Sequence, residues 1–183
     1  MGGILNIRPA APGDVDPIVR IYVDSWNAAF VPRMPAIEAD AARFNRWRNS
    51  LAESSVTRWW LAERGGNIIG FVGIGPCRDP IDSYLGELDT IAIDPKAWRT
   101  GVGKALMSVA LEGLRSAGYH SAVLWTLSDY PQAENFYIAT GWRLTGATRQ
   151  DGEQVRYDHE LQPPDTEVDG KKCEVVIFNT EIP

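Results

Sequence analysis

From Ile91 to Lys104 the chain reads Ile-Ala-Ile-Asp-Pro-Lys-Ala-Trp-Arg-Thr-Gly-Val-Gly-Lys: an apolar run, a polar loop, then two glycines flanking one residue. Glycines at such a place let backbone come close to a ligand, and the unpaired N–H groups and dipole of a helix start attract an anion. Arg99 and Lys104 add positive charge locally to a chain whose formal net charge is -6. A phosphate-bearing ligand follows. The spacing excludes two familiar phosphate loops. A Walker loop needs four residues between its glycines and Ser or Thr after the lysine, whereas Val102 and Ala105 stand here. The dinucleotide fingerprint needs a third glycine where this chain has Leu106.

Just upstream, Glu87 and Asp89 are two residues apart, which in a strand puts both carboxylates on one face. His120 and His159 are the only histidines and fall in no recognisable motif, so neither a metal site nor a His-based nucleophile is expected. Cys77 and Cys173 are isolated, which reads as two ordinary buried thiols in a reducing cytoplasm rather than a disulfide framework or a zinc site.

These groups need a scaffold. Leu5 to Arg8 alternates like a short strand, and Asp14 to Ala29 carries Ile18, Val19, Tyr22, Val23, Trp26 and Phe30 at helical spacing. After Pro32 and Pro35 a second helix is expected from Ala36 to about Glu53, with Ile37, Ala41, Phe44, Trp47 and Leu51 inward. Thr57 to Glu63 and Asn67 to Ile74 form a hairpin over Gly65-Gly66. Gly86 to Ile93 is a strand, Asp94 to Arg99 a loop, Gly101 to Ala117 a helix ended by Gly118, and Ser121 to Leu127 a strand. Pro131 to Thr140 is a helix, and Trp142 to Ala147 with Gln154 to Leu161 a last hairpin over Asp151-Gly152. The order is β-α-α-β-β-β-α-β-α-β-β. The crossover from Gly86 to Leu127 requires a parallel pair and the hairpins antiparallel ones, so the sheet is mixed.

With 183 residues, one α/β domain spanning 1–161 is expected, followed by a tail over 162–183. The acidic balance argues against nucleic acid and mildly favours a cationic substrate. The longest apolar run, Ile68 to Ile74, is too short for a membrane span, and no leader or lipid anchor is visible. In the tail, Glu174 to Phe178 is strand-like and would complete a sheet edge, cross to a second subunit as in a homodimer, or stay mobile.

The segment Arg99-Thr100-Gly101-Val102-Gly103-Lys104 resembles the coenzyme A pyrophosphate loop of the GNAT superfamily of N-acyltransferases, with Trp98 where the family pattern has its first Arg or Gln. Ala133 to Trp142 resembles the family's Ala-x-x-Phe-Tyr-x-x-x-Gly-Phe segment, though Tyr130 stands where Asn is common. Val23 to Phe30 is similar to the first, substrate-side helix of many members. The resemblance implies a GNAT-like mixed central sheet of about seven strands with helices on both faces. It implies acetyl-CoA as co-substrate at Ile91, Ala92, Ile93, Arg99, Thr100, Gly101, Val102, Gly103 and Lys104, with Asn135 and Tyr137 closing over its arm, and no metal. It further implies Glu87 as the base that takes the amine proton, with Asp89 second, and Tyr137 as donor to the coenzyme sulfur.

The function so implied is an acetyl-CoA-dependent N-acetyltransferase acting on a primary amine of a small molecule, a peptide N-terminus or a lysine. The alternative is a non-catalytic acyl-CoA sensor or scaffold of the same fold. The acceptor side would be lined by Trp26, Phe30 and Tyr84, with Trp47, Asp79 and Asp82 as further candidates.

Overall fold

The computed structural model describes residues 3–31, 33–78 and 83–161. The expected tail strand, Asp79 and Asp82 therefore lie outside the described residues. The chain begins with β1 (Leu5–Pro9) and a short 3-10 turn, Pro12–Asp14, that opens α1 (Val15–Phe30). Arg8 fixes this entry by donating to both Asp14 carboxylate oxygens at 2.8 Å. Burial of Val15, Ile18, Val19 and Ile21 lays α1 on the sheet.

The second helix is shorter than its sequence pattern. It runs as α2 (Ala41–Ser50), because the Asp40 side chain caps it by accepting from the Arg43 N–H. The residues before it are diverted by Asn27 of α1, whose side chain donates to the Ile37 carbonyl and accepts from the Ile37 N–H, both at 2.9 Å. Ala41 is consequently exposed rather than inward, whereas Trp47 and Leu51 are buried.

The remaining strands are β2 (Arg58–Arg64), β3 (Asn67–Pro76), β4 (Leu85–Ile93), β5 (Ser121–Leu127), β6 (Arg143–Arg149) and β7 (Gln154–Glu160). Helix α3 (Val102–Ser116) connects β4 to β5, and α4 (Pro131–Ala139) connects β5 to β6. They form one seven-stranded sheet in the order β1-β2-β3-β4-β5-β7-β6. Among the described residues, β4 and β5 are the one parallel pair, as the crossover requires. Helices cover both faces. Phe71 and Ala92 pack with α1 and α2, while Val72, Ile74 and Leu88 pack with α3 and α4. The unbroken apolar run in β3 is thus explained by burial on two faces. Among the described residues, no helix is long and apolar enough to cross a membrane.

One irregularity organises the centre of this sheet. Gly73 of β3 faces Thr90 while Ile74 faces Leu88, leaving Asp89 as an extra residue in β4. Such a bulge bends its strand and raises the local twist. Accordingly β4 and β5 pair only from Leu85–Glu87 to Ser121–Val123, and then separate. From there β5 continues with β7 as far as Leu127 opposite Gln154, and β4 with β3. A fork opens between two parallel strands.

Candidate active site

The fork holds a cavity of about 180 Å³. Its walls are Leu88 to Ala92 of β4, Trp125 to Leu127 of β5, Tyr137 of α4, Gln154 of β7, and Tyr22, Ser25, Trp26 and Phe30 of α1. Aromatic edges close one side: Trp26 and Phe30 meet at 4.8 Å between centroids, and Phe30 meets Tyr130 at 4.9 Å. Arg33 ties the chain after α1 to the β5–α4 loop by donating to the Ser128 and Asp129 carbonyls. A larger cavity of about 390 Å³ lies between residues 9–12 and 50–60, away from the fork and from the residues expected to do chemistry.

The two carboxylates are differently placed. Glu87, only 3% exposed, accepts from the Arg78 backbone N–H at 2.9 Å and from the Arg78 guanidinium through Nε and Nη2. It sits at the closed end of the fork and does not line the cavity. Asp89, the bulged residue, does line it, accepting from Thr90 Oγ1 at 2.8 Å and facing Arg78 Nη1 at 3.4 Å. Strict period-two alternation misses this, because the bulge re-aims Asp89 towards the opening.

Tyr137 lies on the α3–α4 side of the sheet yet reaches the same cavity. Burial pushes its phenol up to about 12, against which a hydrogen bond from Thr126 acts in the lowering direction. The group is therefore a neutral hydrogen-bond donor throughout the physiological range.

At the mouth of the fork the loop after β4 is held by its own side chains. Trp98 Nε1 donates to the Ile93 carbonyl at 2.8 Å, and Thr100 Oγ1 to the Ala97 carbonyl at 2.7 Å. Trp98, a departure from the family pattern, thus serves as a staple. Gly101 caps α3 with φ of 87°, a left-handed conformation that favours glycine. Its carbonyl accepts from Ala105 N–H, so the N–H groups of Val102, Gly103 and Lys104 have no intrahelical partner. Arg99 and Lys104 are exposed beside them, and Asn135 is exposed on α4. A Cβ at Gly103 would come within 3.2 Å of the Phe136 ring and 3.5 Å of Ile93 Cδ1. A folded Gly103→Glu protein is expected to lose at least about tenfold in affinity for coenzyme A, since its side chain crowds the anion-binding N–H groups and adds negative charge. Calorimetry measures this, and unchanged affinity would remove the loop from the binding site.

Not every expected residue reaches the fork. Ile91 and Ala92 line the cavity, whereas the Ile93 side chain packs on the α3 side. Tyr84 stacks on His120 at 4.7 Å and 9°, just before the closed end of the fork, and is not among the residues lining the cavity. Trp47 is core, packed edge-on against Trp59 and Phe71. Cys77 is half-buried rather than buried. Conversely, Tyr22, Ser25, Trp125, Thr126 and Gln154 are wall residues that the sequence does not announce. Tyr22 falls on the apolar stripe of its helix, and the strand residues become wall only because β4 leaves β5.

A mixed seven-stranded sheet thus forks between two parallel strands, beside a helix start whose first N–H groups suit an anion. Residues 16–142 match the model of the acetyltransferase (GNAT) family, and the chain belongs to that family. An uncharacterized N-acetyltransferase, YuaI, of Bacillus subtilis is 26% identical over 129 residues, covering 70% of this chain and 75% of the relative. N-acetyltransferase 8 of Rattus norvegicus is 32% identical over 94 residues, 51% of this chain and 42% of the relative. Mycothiol acetyltransferase of Sanguibacter keddieii is 34% identical over 84 residues, 45% of this chain and 27% of the relative. For these last two the chain matches less than half of the relative's length. Among solved structures, PaiA N-acetyltransferase from Thermoplasma acidophilum in complex with coenzyme A superposes with a TM-score of 0.67 at 15% identity, covering 86% of this chain and 99% of the other. An acetyltransferase from Thermus thermophilus gives 0.70 at 18% identity, covering 88% and 100%.

Proposed function

We propose that this protein transfers an acetyl group from acetyl-CoA to a primary amine in one direct step. The observation that carries the reading is the fork, which leaves two strand edges unpaired beside a Gly-x-Gly helix start. An amide-bearing coenzyme arm satisfies those edges as an added strand would. Its pyrophosphate takes the N–H groups of Val102, Gly103 and Lys104, with Arg99 and Lys104 adding charge.

The alternation of hydrogen bonds assigns the polarising donors. Asp94 N–H is spent on the Ile69 carbonyl of β3. Two residues back, Ala92 faces β3 likewise, so Ile91 and Ile93 turn their N–H groups to the fork. A thioester carbonyl there gains a hydrogen bond that strengthens as negative charge develops. The acceptor comes from the α1 side, between Trp26, Phe30 and Asp89. Asp89 takes the amine proton, directly or through a water; the C–N bond forms, the C–S bond breaks, and the thiolate leaves hydrogen-bonded to Tyr137. Glu87 holds Arg78 and is a positioning residue.

A thiol-release assay with acetyl-CoA against amines, amino acids, polyamines, aminoglycosides and peptides tests the reading. Acceptor-dependent release with an acetylated product supports it. Tight coenzyme binding without release on any acceptor replaces it with the non-catalytic acyl-CoA-binding alternative.

A further inference from the structure

Arg149, the last residue of β6, is held at the edge of the fork cavity without a carboxylate. Its Nε donates to Gln154 Oε1 at 2.5 Å, and its guanidinium lies 4.4 Å over the Trp125 ring. Both anchors line the cavity. Among the described residues Arg149 makes no ion pair, and its two anchors set it beside the fork. The stacked, tethered guanidinium has already lost much of its rotamer freedom, and its Nη donors remain available for a planar, bidentate partner.

The cavity wall adds a second observation. The indole Nε1 atoms of Trp26 and Trp125, both wall residues, are buried with no hydrogen-bond partner. Both indole nitrogens are closed off from the opening, so these side chains serve the cavity as ring walls that pack an apolar body. Arg149 on β6 and Asp89 on β4 therefore bring a cation and an anion to one cavity from different strands. The cavity thus suits a ligand that carries both a carboxylate and an amine. Its small volume and aromatic walls suit an apolar body between them.

We infer that the acceptor is a primary amine that also carries a free carboxylate, of the class of apolar α-amino acids, and that Arg149 recognises this carboxylate. The inference rests on the acetyltransferase reading above. Its test compares phenylalanine, phenylalaninamide and phenethylamine, which share the ring and the amine but differ in the carboxylate. The wild-type protein is expected to favour phenylalanine in kcat/KM by at least about tenfold. In Arg149→Met, which keeps the apolar stem over Trp125, that preference should shrink about tenfold, mainly through KM. In Arg149→Lys part of it should return. Equal use of all three acceptors, or an equal loss for all three in Arg149→Met, would overturn the inference while leaving the acetyltransferase reading intact. If coenzyme A binds by calorimetry but neither these three nor any wider amine panel releases thiol, both fall together.

Discussion

Replacing Tyr137 with Phe is expected to lower kcat on the order of 10² while coenzyme affinity stays within about twofold. The substitution removes only a hydroxyl, so the ring contacts of Tyr137 with Phe136 and Tyr157 are kept. What is lost is the hydroxyl that the proposed mechanism sets against the departing thiolate. Its acidity defines the role more narrowly than that of a proton donor. With the phenol pushed up to about 12, full transfer to a thiolate of reference pKa ~8.5 is uphill by on the order of 5 kcal/mol. In the proposed reaction Tyr137 would therefore stabilise the thiolate by hydrogen bonding and keep its own proton, the sulfur being protonated later from solvent. Two consequences follow for pH. Wild-type kcat should show no fall through pH 9–10 from loss of this donor, because deprotonation waits for about pH 12. The deficit of Tyr137→Phe should be constant with pH, since no titration restores the missing donor. Steady-state thiol release from pH 6 to 10 checks both, and a near wild-type kcat would remove Tyr137 from the reaction.

Most of the scaffold was legible because its signals are local. Helical stripes, the glycine pairs and the change to short β-type runs at Thr57 fixed the element order, and the crossover between Gly86 and Leu127 required the parallel pair. What escaped depended on contacts distant in sequence. The second helix starts late because Asn27 holds Ile37, a pairing across ten residues that no local pattern encodes. The aromatic positions at 22, 26 and 30 read equally well as core or as cavity wall, since both demand apolar side chains on one helical stripe. The fork decides between them, and the fork exists because a bulge arises from the register of β4 against β3.

The carboxylates carry the same lesson into the chemistry. In sequence, Glu87 and Asp89 are equivalent members of an alternating pair, and the resemblance favours Glu87. In three dimensions Arg78 treats them differently: it occupies Glu87 with its backbone N–H, Nε and Nη2, and faces Asp89 with Nη1 at 3.4 Å. Nothing in the spacing announces that a residue nine positions upstream returns to bind one of the two closely and the other at longer range. For Trp98 the sequence departure is resolved by function in the loop, since its indole secures the Ile93 carbonyl next to the turned backbone.

That asymmetry gives a prediction in which the two carboxylates fail in different ways. Asp89→Asn is expected to lower kcat/KM on the order of 10² near neutral pH, within the usual range for a lost general base. The loss should recover as pH rises, because a growing share of the amine then arrives already deprotonated and needs no acceptor for that proton. Below the amine pKa, the variant's kcat/KM should climb close to tenfold per pH unit, whereas the wild-type slope is shallower. Glu87→Gln removes the buried charge that holds Arg78, so Arg78 turns more fully onto Asp89 and competes with the amine. Its rate should also fall, but raising pH should not restore it, because the guanidinium stays charged over the whole range. Parallel kcat/KM profiles of wild type, Asp89→Asn and Glu87→Gln, measured with one acceptor from pH 6 to 9.5, separate the roles. Recovery at high pH in Glu87→Gln but not in Asp89→Asn would reverse the assignment and make Glu87 the base. Recovery in both would mean that the proton passes along the pair, with Arg78 holding the two carboxylates in register.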